Sequence, residues 1–366
     1  MVALLIDITG KAFLKLPPLE IKIQKTGKVL RPRVPFILGG AGLGITDGVL
    51  AGYAAKAGMI GILSGTLRTH DIVNEIKKAR DIAGPEGILG VNMLGVMSDF
   101  KEAMELVMPH IDVFTQGAKF LREPFKLCAE HGVAFLPIIS NPKSIPLCEK
   151  LGAAAIVIES GQGGGHQGTT MSTWEMAKMP EVKEAKVPTI AAGGIMDGEE
   201  AAKLITLGYS GVQMTTVFIL TKECTVAEKF KRRYFKAKKE DIIRFMSPAG
   251  LPGMALRDPF LEPYYIEGGN QPDKTVNVAE KQCNNCLIHC NKTFCLRSVL
   301  WGAYYKGEKL IFCGGNVHRL KEKVPDFNNL PTVEEVVRRI ENEAVEYLNS
   351  RQEANGYLTT STVQGA

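Results

Sequence analysis

The sequence predicts an α/β protein built as a (β/α)8 TIM barrel with a small C-terminal cysteine-containing extension. Three observations carry this reading. Short β-branched or aliphatic runs alternate with longer segments of helical character from about Val34 onward. Glycines recur just beyond the helical segments, where a helix needs a C′ residue. After Thr221 the alternation stops, giving way to a basic helical stretch, a Pro- and Gly-rich loop and a cysteine segment.

Eight strand-like runs can be counted: Pro35–Leu38, Met59–Leu63, Ile88–Asn92, Ile111–Phe114, Ala134–Ile138, Ala154–Ile158, Thr189–Ala191 and Gly211–Met214. Between them, Ser98–Pro109, Phe120–His131, Pro142–Leu151 and Gly198–Leu207 space apolar residues three and four apart, as crossover helices do. Eight units fit a closed barrel better than an open doubly wound sheet, the rival that spacing alone leaves open. Ahead of the barrel, Leu19-Glu20-Ile21-Lys22-Ile23, the turn Thr26-Gly27-Lys28 and the pair Val29-Leu30 predict a hairpin closing the barrel floor. The expected divisions are a lead-in over 1–33, the barrel over 34–262, an extension over 263–350 with an amphipathic helix from about Val333 to Leu348, and a disordered tail over 351–366.

Bulk properties narrow the function classes. The 366 residues are 45% hydrophobic and 23% charged, ordinary globular values. A net charge of +5, spread over 44 basic and 39 acidic residues, argues against nucleic-acid or membrane partners, and Lys229-Phe230-Lys231-Arg232-Arg233 reads as a solvated helix face. The N-terminus has no basic n-region and no window long enough to span a bilayer, so a cytoplasmic protein is expected.

Loops following the strands of such a barrel form its active site, and a phosphate commonly binds after strands seven and eight. Here Ala191-Ala192-Gly193-Gly194-Ile195 follows the seventh run, and Gln213-Met214-Thr215-Thr216 ends the eighth. Paired glycines let backbone approach an anion, although one pair alone could equally serve a tight turn. Gly39, Gly40 and Ala41 open a glycine-rich loop after the first run, too irregular for a dinucleotide fingerprint but suited to a flat ring lying across the mouth. Asn92 and Gln116, near the ends of the third and fourth runs, could hydrogen-bond such a ring or simply satisfy loop backbone. The sixth run leads into Glu159-Ser160-Gly161-Gln162-Gly163-Gly164-Gly165-His166-Gln167-Gly168, which carries an imidazole over the mouth. His166 suits a general acid or base; the alternative is a histidine that orders its loop.

Four of the eight cysteines, Cys283, Cys286, Cys290 and Cys295, fall within thirteen residues. This spacing favours an iron–sulfur cubane, [4Fe-4S], over structural zinc, and zinc over no metal. His289 is a candidate ligand in the zinc reading, and Cys313 a substitute in either.

Taken together, Pro35–Gly42, Gly90-Val91-Asn92, the Glu159–Gly168 loop, Ala192–Ile195, Val212–Phe218 and Ser247–Gly253 resemble the nitronate monooxygenase (2-nitropropane dioxygenase) family and its sister, the FMN-dependent enoyl-ACP reductase II family. The pieces run in family order from about residue 15 to 262. Through Leu310–Asn316 the chain also resembles a long-tailed subgroup with a C-terminal cysteine cluster. The resemblance implies noncovalent FMN, with Gly193, Gly194, Gln213 and Thr216 near its phosphate, Asn92 and Gln116 near its ring, and His166 as the acid/base residue. Thr215 stands where the family usually has a small residue, and Val217 and Met254 where it commonly has arginine.

The implied activity is an oxidoreductase acting on a small molecule. One version oxidises nitronates or nitroalkanes, with His166 managing the proton α to the nitro group. The alternative reduces an enoyl thioester, drawing electrons from NAD(P)H, an iron–sulfur donor or a redox partner. A third reading is a non-redox barrel enzyme binding a phosphorylated ligand, although such enzymes favour a Schiff-base lysine or paired carboxylates, and only Glu159 sits obviously at a strand end. A homo-oligomer is expected.

Overall fold

The structure, a computed structural model, describes residues 4–6, 12–66, 71–266, 283 and 285–354. Eight strands form the barrel: Phe36–Leu38 (β1), Ile60–Ser64 (β2), Ile88–Leu94 (β3), Val113–Gly117 (β4), Ala134–Ile139 (β5), Ile156–Glu159 (β6), Thr189–Ala192 (β7) and Gly211–Met214 (β8). Each pairs in parallel with its sequence neighbours, β8 with β1 included, so the ring is closed and the open-sheet rival is ruled out. Strand β4 starts two residues later than its apolar run because Asp112 is drawn into polar contacts: its carboxylate accepts from Leu89 N at 3.2 Å and Arg80 at 2.9 Å.

Crossover helices lie outside: Gly48–Lys56 (α1), Ile72–Ala83 (α2), Phe100–Val107 (α3), Glu123–His131 (α4) and Ile145–Lys150 (α5), then Gly198–Thr206 (α6). Two single-turn helices, Thr173–Met176 and Pro180–Lys183, serve between β6 and β7. Several starts are capped by side chains. Asp47 accepts from the Val49 and Leu50 N–H groups, Asp197 accepts from Glu200 N, and Ser172 with Glu175 forms a capping box.

The barrel interior is filled from below. Ile21–Lys22 pairs antiparallel with Val29–Leu30, and Leu19, Ile21, Ile23 and Leu30 join Ile37, Ile62, Leu136, Val157 and Ile190 in one buried cluster. The N-terminal end is therefore solid. Lys28 in this hairpin donates to Asp112 at 3.0 Å, tying the floor to the wall.

Beyond β8 the chain forms Glu228–Lys236 (α7), an antiparallel hairpin of Ile242–Met246 (β9) and Pro252–Leu256 (β10), then Leu296–Lys306 (α8) and Val333–Ala354 (α9). The last helix runs four residues past the boundary drawn at 350; residues 355–366 of the expected tail, and 267–282 of the extension, lie outside the described residues. Among the described residues no helix is long and apolar enough to cross a membrane.

Helix α9 packs directly on α6. A Cβ added at Gly198 would sit 1.9 Å from the Ile340 carbonyl oxygen, and Gly198 N donates to Glu343 at 2.8 Å. Arg319 and Lys323 bridge to Asp197, each at 3.0 Å, from the segment before α9. Because the obstruction at Gly198 is backbone, neither partner can rotate away. Gly198→Ala is expected to destabilise the fold by about 1–3 kcal/mol through overpacking, read as a lower denaturant midpoint with an unchanged slope.

Candidate active site

The open end of the barrel holds a cavity lined by the loops after the strands. Gly39, Gly40 and Ala41 come from β1, Asn92 from β3, Gly193 and Gly194 from β7, and Gln213, Thr215 and Thr216 from β8. His166 reaches it from the glycine loop after β6. Ten of the sequence-derived candidates thus converge on one wall.

Gly193 and Gly194 have φ of +99° and +78°, a left-handed pair that turns successive N–H groups to one side. Those two N–H groups donate to no group among the described residues. Their carbonyls are held instead: Gly193 O accepts from Thr173 at 2.6 Å and Gly194 O from Asn316 at 2.6 Å. Across the cavity, Thr216 begins a single 3-10 turn, Thr216–Phe218. The Thr215 hydroxyl is already committed, donating to Gly39 O at 2.8 Å, so it braces the β1 loop. Asn92 is oriented by two bonds, accepting from Thr115 at 3.0 Å and donating to Gly40 O at 3.0 Å. Gly40 must lack a side chain here, since a Cβ would lie 2.5 Å from that of Asn92.

His166 is fixed from outside the barrel. Gly165–His166 pairs with Met254 and Gly253 of β10, which sets the backbone. The imidazole Nε2 lies 2.8 Å from the fully buried Ser247 hydroxyl, and its ring meets Phe312 edge-on at 5.3 Å. Burial pushes its pKa down to about 4, so the ring is neutral at physiological pH. Glu159, at the end of β6, is moved the opposite way: burial raises it to about 8. Among the described residues no lysine or arginine lines the cavity.

Two groups of candidates are placed differently from expectation. Gln116 does not line the cavity. Its amide is packed beneath the Gly95 turn and donates to Lys119 O and, at 2.7 Å, to Gly117 O, which also accepts from Gly95 N at 3.0 Å. Gly117 and Ala118 occupy the wall instead. The cysteine loop docks on the rim, with Ser98 N donating to Cys286 O and Ile288 N to Val96 O. Its four thiols are free and half-buried, and among the described residues no group of three or more His, Cys, Asp or Glu side chains is arranged to hold a metal ion. Cys286, Cys290 and Cys295 are still close enough to act on one another: the Cys286 pKa is raised by burial first, then by the other two thiolates.

Sequence reasoning missed a whole wall. Leu296 and Leu300 of α8, Tyr234 of α7, and Phe312, Cys313 and Gly314 all line the cavity. The segment around Cys313 crosses the mouth as a strap: Cys313 N donates to Met254 O at 3.1 Å and Gly315 N to Gln162 O at 2.9 Å. Its sequence signal was the pair Gly314-Gly315, which passes over the glycine loop at backbone distance. Val217, at a position where the resembling family has arginine, is buried, and Met254 packs against Gln167 and Gly315.

Residues 102–340 match the family described as nitronate monooxygenase. The chain belongs to that family. A relative from Mycobacterium tuberculosis, named (3aS,4S,5R,7aS)-5-hydroxy-7a-methyl-1-oxo-octahydro-1H-indene-4-carboxyl-CoA dehydrogenase, is 30% identical over 237 residues, 63% of this chain and 65% of the relative. The matching part of this family member therefore spans less than two thirds of that protein. A probable nitronate monooxygenase from Staphylococcus aureus is 23% identical over 67% of this chain and 81% of its own. Among solved structures, FabK from Thermotoga maritima superposes with a TM-score of 0.72 at 23% identity, over 89% of this chain and 96% of that one. Nitroalkane oxidase from Streptomyces ansochromogenes gives 0.68 at 18% identity, over 87% and 98%. Both share the barrel fold.

The free N–H pair at Gly193 and Gly194 makes a specific test of anion binding in this family member. Gly193→Ala would force a side chain into φ +99° and place Cβ 2.5 Å from Ser160 Oγ. FMN affinity, followed by quenching of flavin fluorescence, is expected to fall at least tenfold, whereas affinity for riboflavin, which lacks the phosphate, falls less.

Proposed function

We propose that this chain is an FMN-dependent oxidoreductase of the nitronate monooxygenase type, oxidising nitronates or nitroalkanes with His166 as the acid/base group. The observation that carries the reading is a neutral, oriented imidazole facing a cavity that Gly193 and Gly194 also line, with backbone N–H groups that have no partner among the described residues. FMN fits this site on the chain's own chemistry: Gly193, Gly194, Gln213 and Thr216 would hold its phosphate, and Gly39, Gly40, Ala41 and Asn92 would face its ring. When bound, the flavin supplies the two-electron acceptor. With no lysine or arginine among the described lining residues, backbone dipoles would help balance the phosphate charge. His166 would take the substrate proton at a ring nitrogen, while the Ser247 hydroxyl keeps the imidazole aligned.

A second reading is reduction of an enoyl thioester with NAD(P)H as donor. It is favoured by the acyl-CoA relative and by the apolar wall of Leu296, Leu300 and Phe312, which suits an acyl chain. For the cysteine loop, an iron–sulfur cluster with zinc as its rival rests on the spacing of Cys283, Cys286, Cys290 and Cys295 and on the mutual influence of three thiols. The thiols do not form a ligand set as arranged, and no chemistry is routed through one. A redox partner, a homo-oligomer and a cytoplasmic location complete the proposal.

His166→Ala is expected to lower turnover of a nitronate by 10²–10⁴-fold while FMN stays bound; an unchanged kcat would remove the histidine from the chemistry. Because burial lowers its pKa, the base is competent above about 4, so the wild-type rate should stay level from pH 7 down to pH 5 and fall as pH approaches 4. Metal analysis of anaerobically purified protein should find iron and sulfide; zinc alone, or no metal, would overturn the cluster.

A further inference from the structure

Among the described residues Glu159 is the one carboxylate on the cavity wall, and nothing in the proposed oxidation uses it. It closes β6, with its backbone beside Ala192 of β7, and its side chain lies under the glycine turn: a Cβ built on Gly163 would be 2.9 Å from Oε1. No hydrogen bond or neighbouring charge acts on its carboxyl among the described residues; burial alone does. The other titratable groups facing the cavity are His166 on the glycine loop, Tyr234 on α7 and Cys313 in the strap. Burial raises both Tyr234 and Cys313, so neither is charged near neutral pH. A carboxyl in such surroundings keeps its proton, and its partner must come from whatever fills the cavity.

We propose that Glu159 is the proton donor of this site, passing the proton on its carboxyl to the ligand atom that gains negative charge during a two-electron reduction. This rests on reading the cavity as the active site of a flavin oxidoreductase, and it assigns the reducing direction a substrate class: an activated alkene such as an enoyl thioester, with a dihydronicotinamide supplying the electrons. The hydride that originates on the dihydronicotinamide would add to the β carbon as the alkene π bond opens, the Glu159 O–H bond breaks as a C–H bond forms at the α carbon, and a proton taken up from solvent restores the carboxyl. His166 is poorly suited to this step, because burial holds its pKa near 4 and leaves it without a proton to give. Two ionisable groups in one cavity, pushed apart by burial in opposite directions, divide the work into an acid and a base.

The sign of the pH effect follows. Glu159 is a competent donor below about 8 and loses that competence as pH rises through it. Two measurements on the full-length holoprotein test this. Carbon-13 glutamate NMR of wild type against Glu159→Gln should reveal one carboxyl titrating near pH 8 that the variant lacks. Steady-state reduction of an enoyl-CoA by NAD(P)H should fall above pH 8 in wild type. Glu159→Gln, similar in shape but unable to release a proton, should be slower by on the order of 10² and lose that basic limb with FMN still bound; Glu159→Asp should recover part of the rate. Wild-type turnover combined with a Glu159→Gln rate within threefold, or a carboxyl titrating in the ordinary range near 4, overturns the donor role alone. If wild type binds no flavin and turns over neither an enoyl-CoA nor a nitronate, the donor role falls together with the proposed function.

Discussion

Closure of the parallel ladder is the constraint on which the rest depends. Once β8 pairs with β1, every strand ends at the same rim, and the last backbone groups of eight strands face one another without a sheet edge between them. The floor hairpin fills the other end, with Leu19, Ile21, Ile23 and Leu30 packed into the interior. Only the C-terminal mouth can then be hollow. Residues far apart in sequence, from Gly39 to Thr216, share a wall for this reason alone.

Among the described residues no lysine or arginine stands on the wall of that mouth. The positions where the resembling family has arginine hold Val217 and Met254, both packed away from water. The N–H groups of Gly193 and Gly194 have no partner among the described residues. Burial drives the pKa of Glu159 up to about 8 and that of His166 down to about 4, in opposite directions within one cavity.

The β9–β10 hairpin positions the histidine, and the C-terminal extension completes the cavity. Strand β10 pairs with β9 on one side, and along its other edge it carries the His166 backbone and bonds the strap through Met254 O. Gly253 makes this possible, since a Cβ there would lie 2.9 Å from both Phe245 and Phe312. The cysteine loop abuts the same wall: Cys295 precedes α8, whose first residue, Leu296, already faces the cavity.

The barrel was legible in the sequence because its signals are local. Eight apolar runs, glycines after helices and the strand-end motifs each reflect backbone geometry within a few residues, and all eight strands formed within two residues of their expected starts. The glycines of the β1 and β7 loops were legible for the same reason. What the tertiary structure decided is which side chains face the mouth and what covers it. Gln116 turned to the carbonyls of Gly117 and Lys119 beside left-handed Ala118, a loop geometry that no periodicity announces. Ser247 met His166 across 81 residues, and Phe312 reached the same ring from the extension, contacts that only packing brings together. The sequence by itself placed the eight strands and the glycines at their ends; ring closure and long-range packing decided the strand order and the chemistry of the wall, because pairing partners, burial and side-chain hydrogen bonds belong to the assembled fold and not to any segment of it.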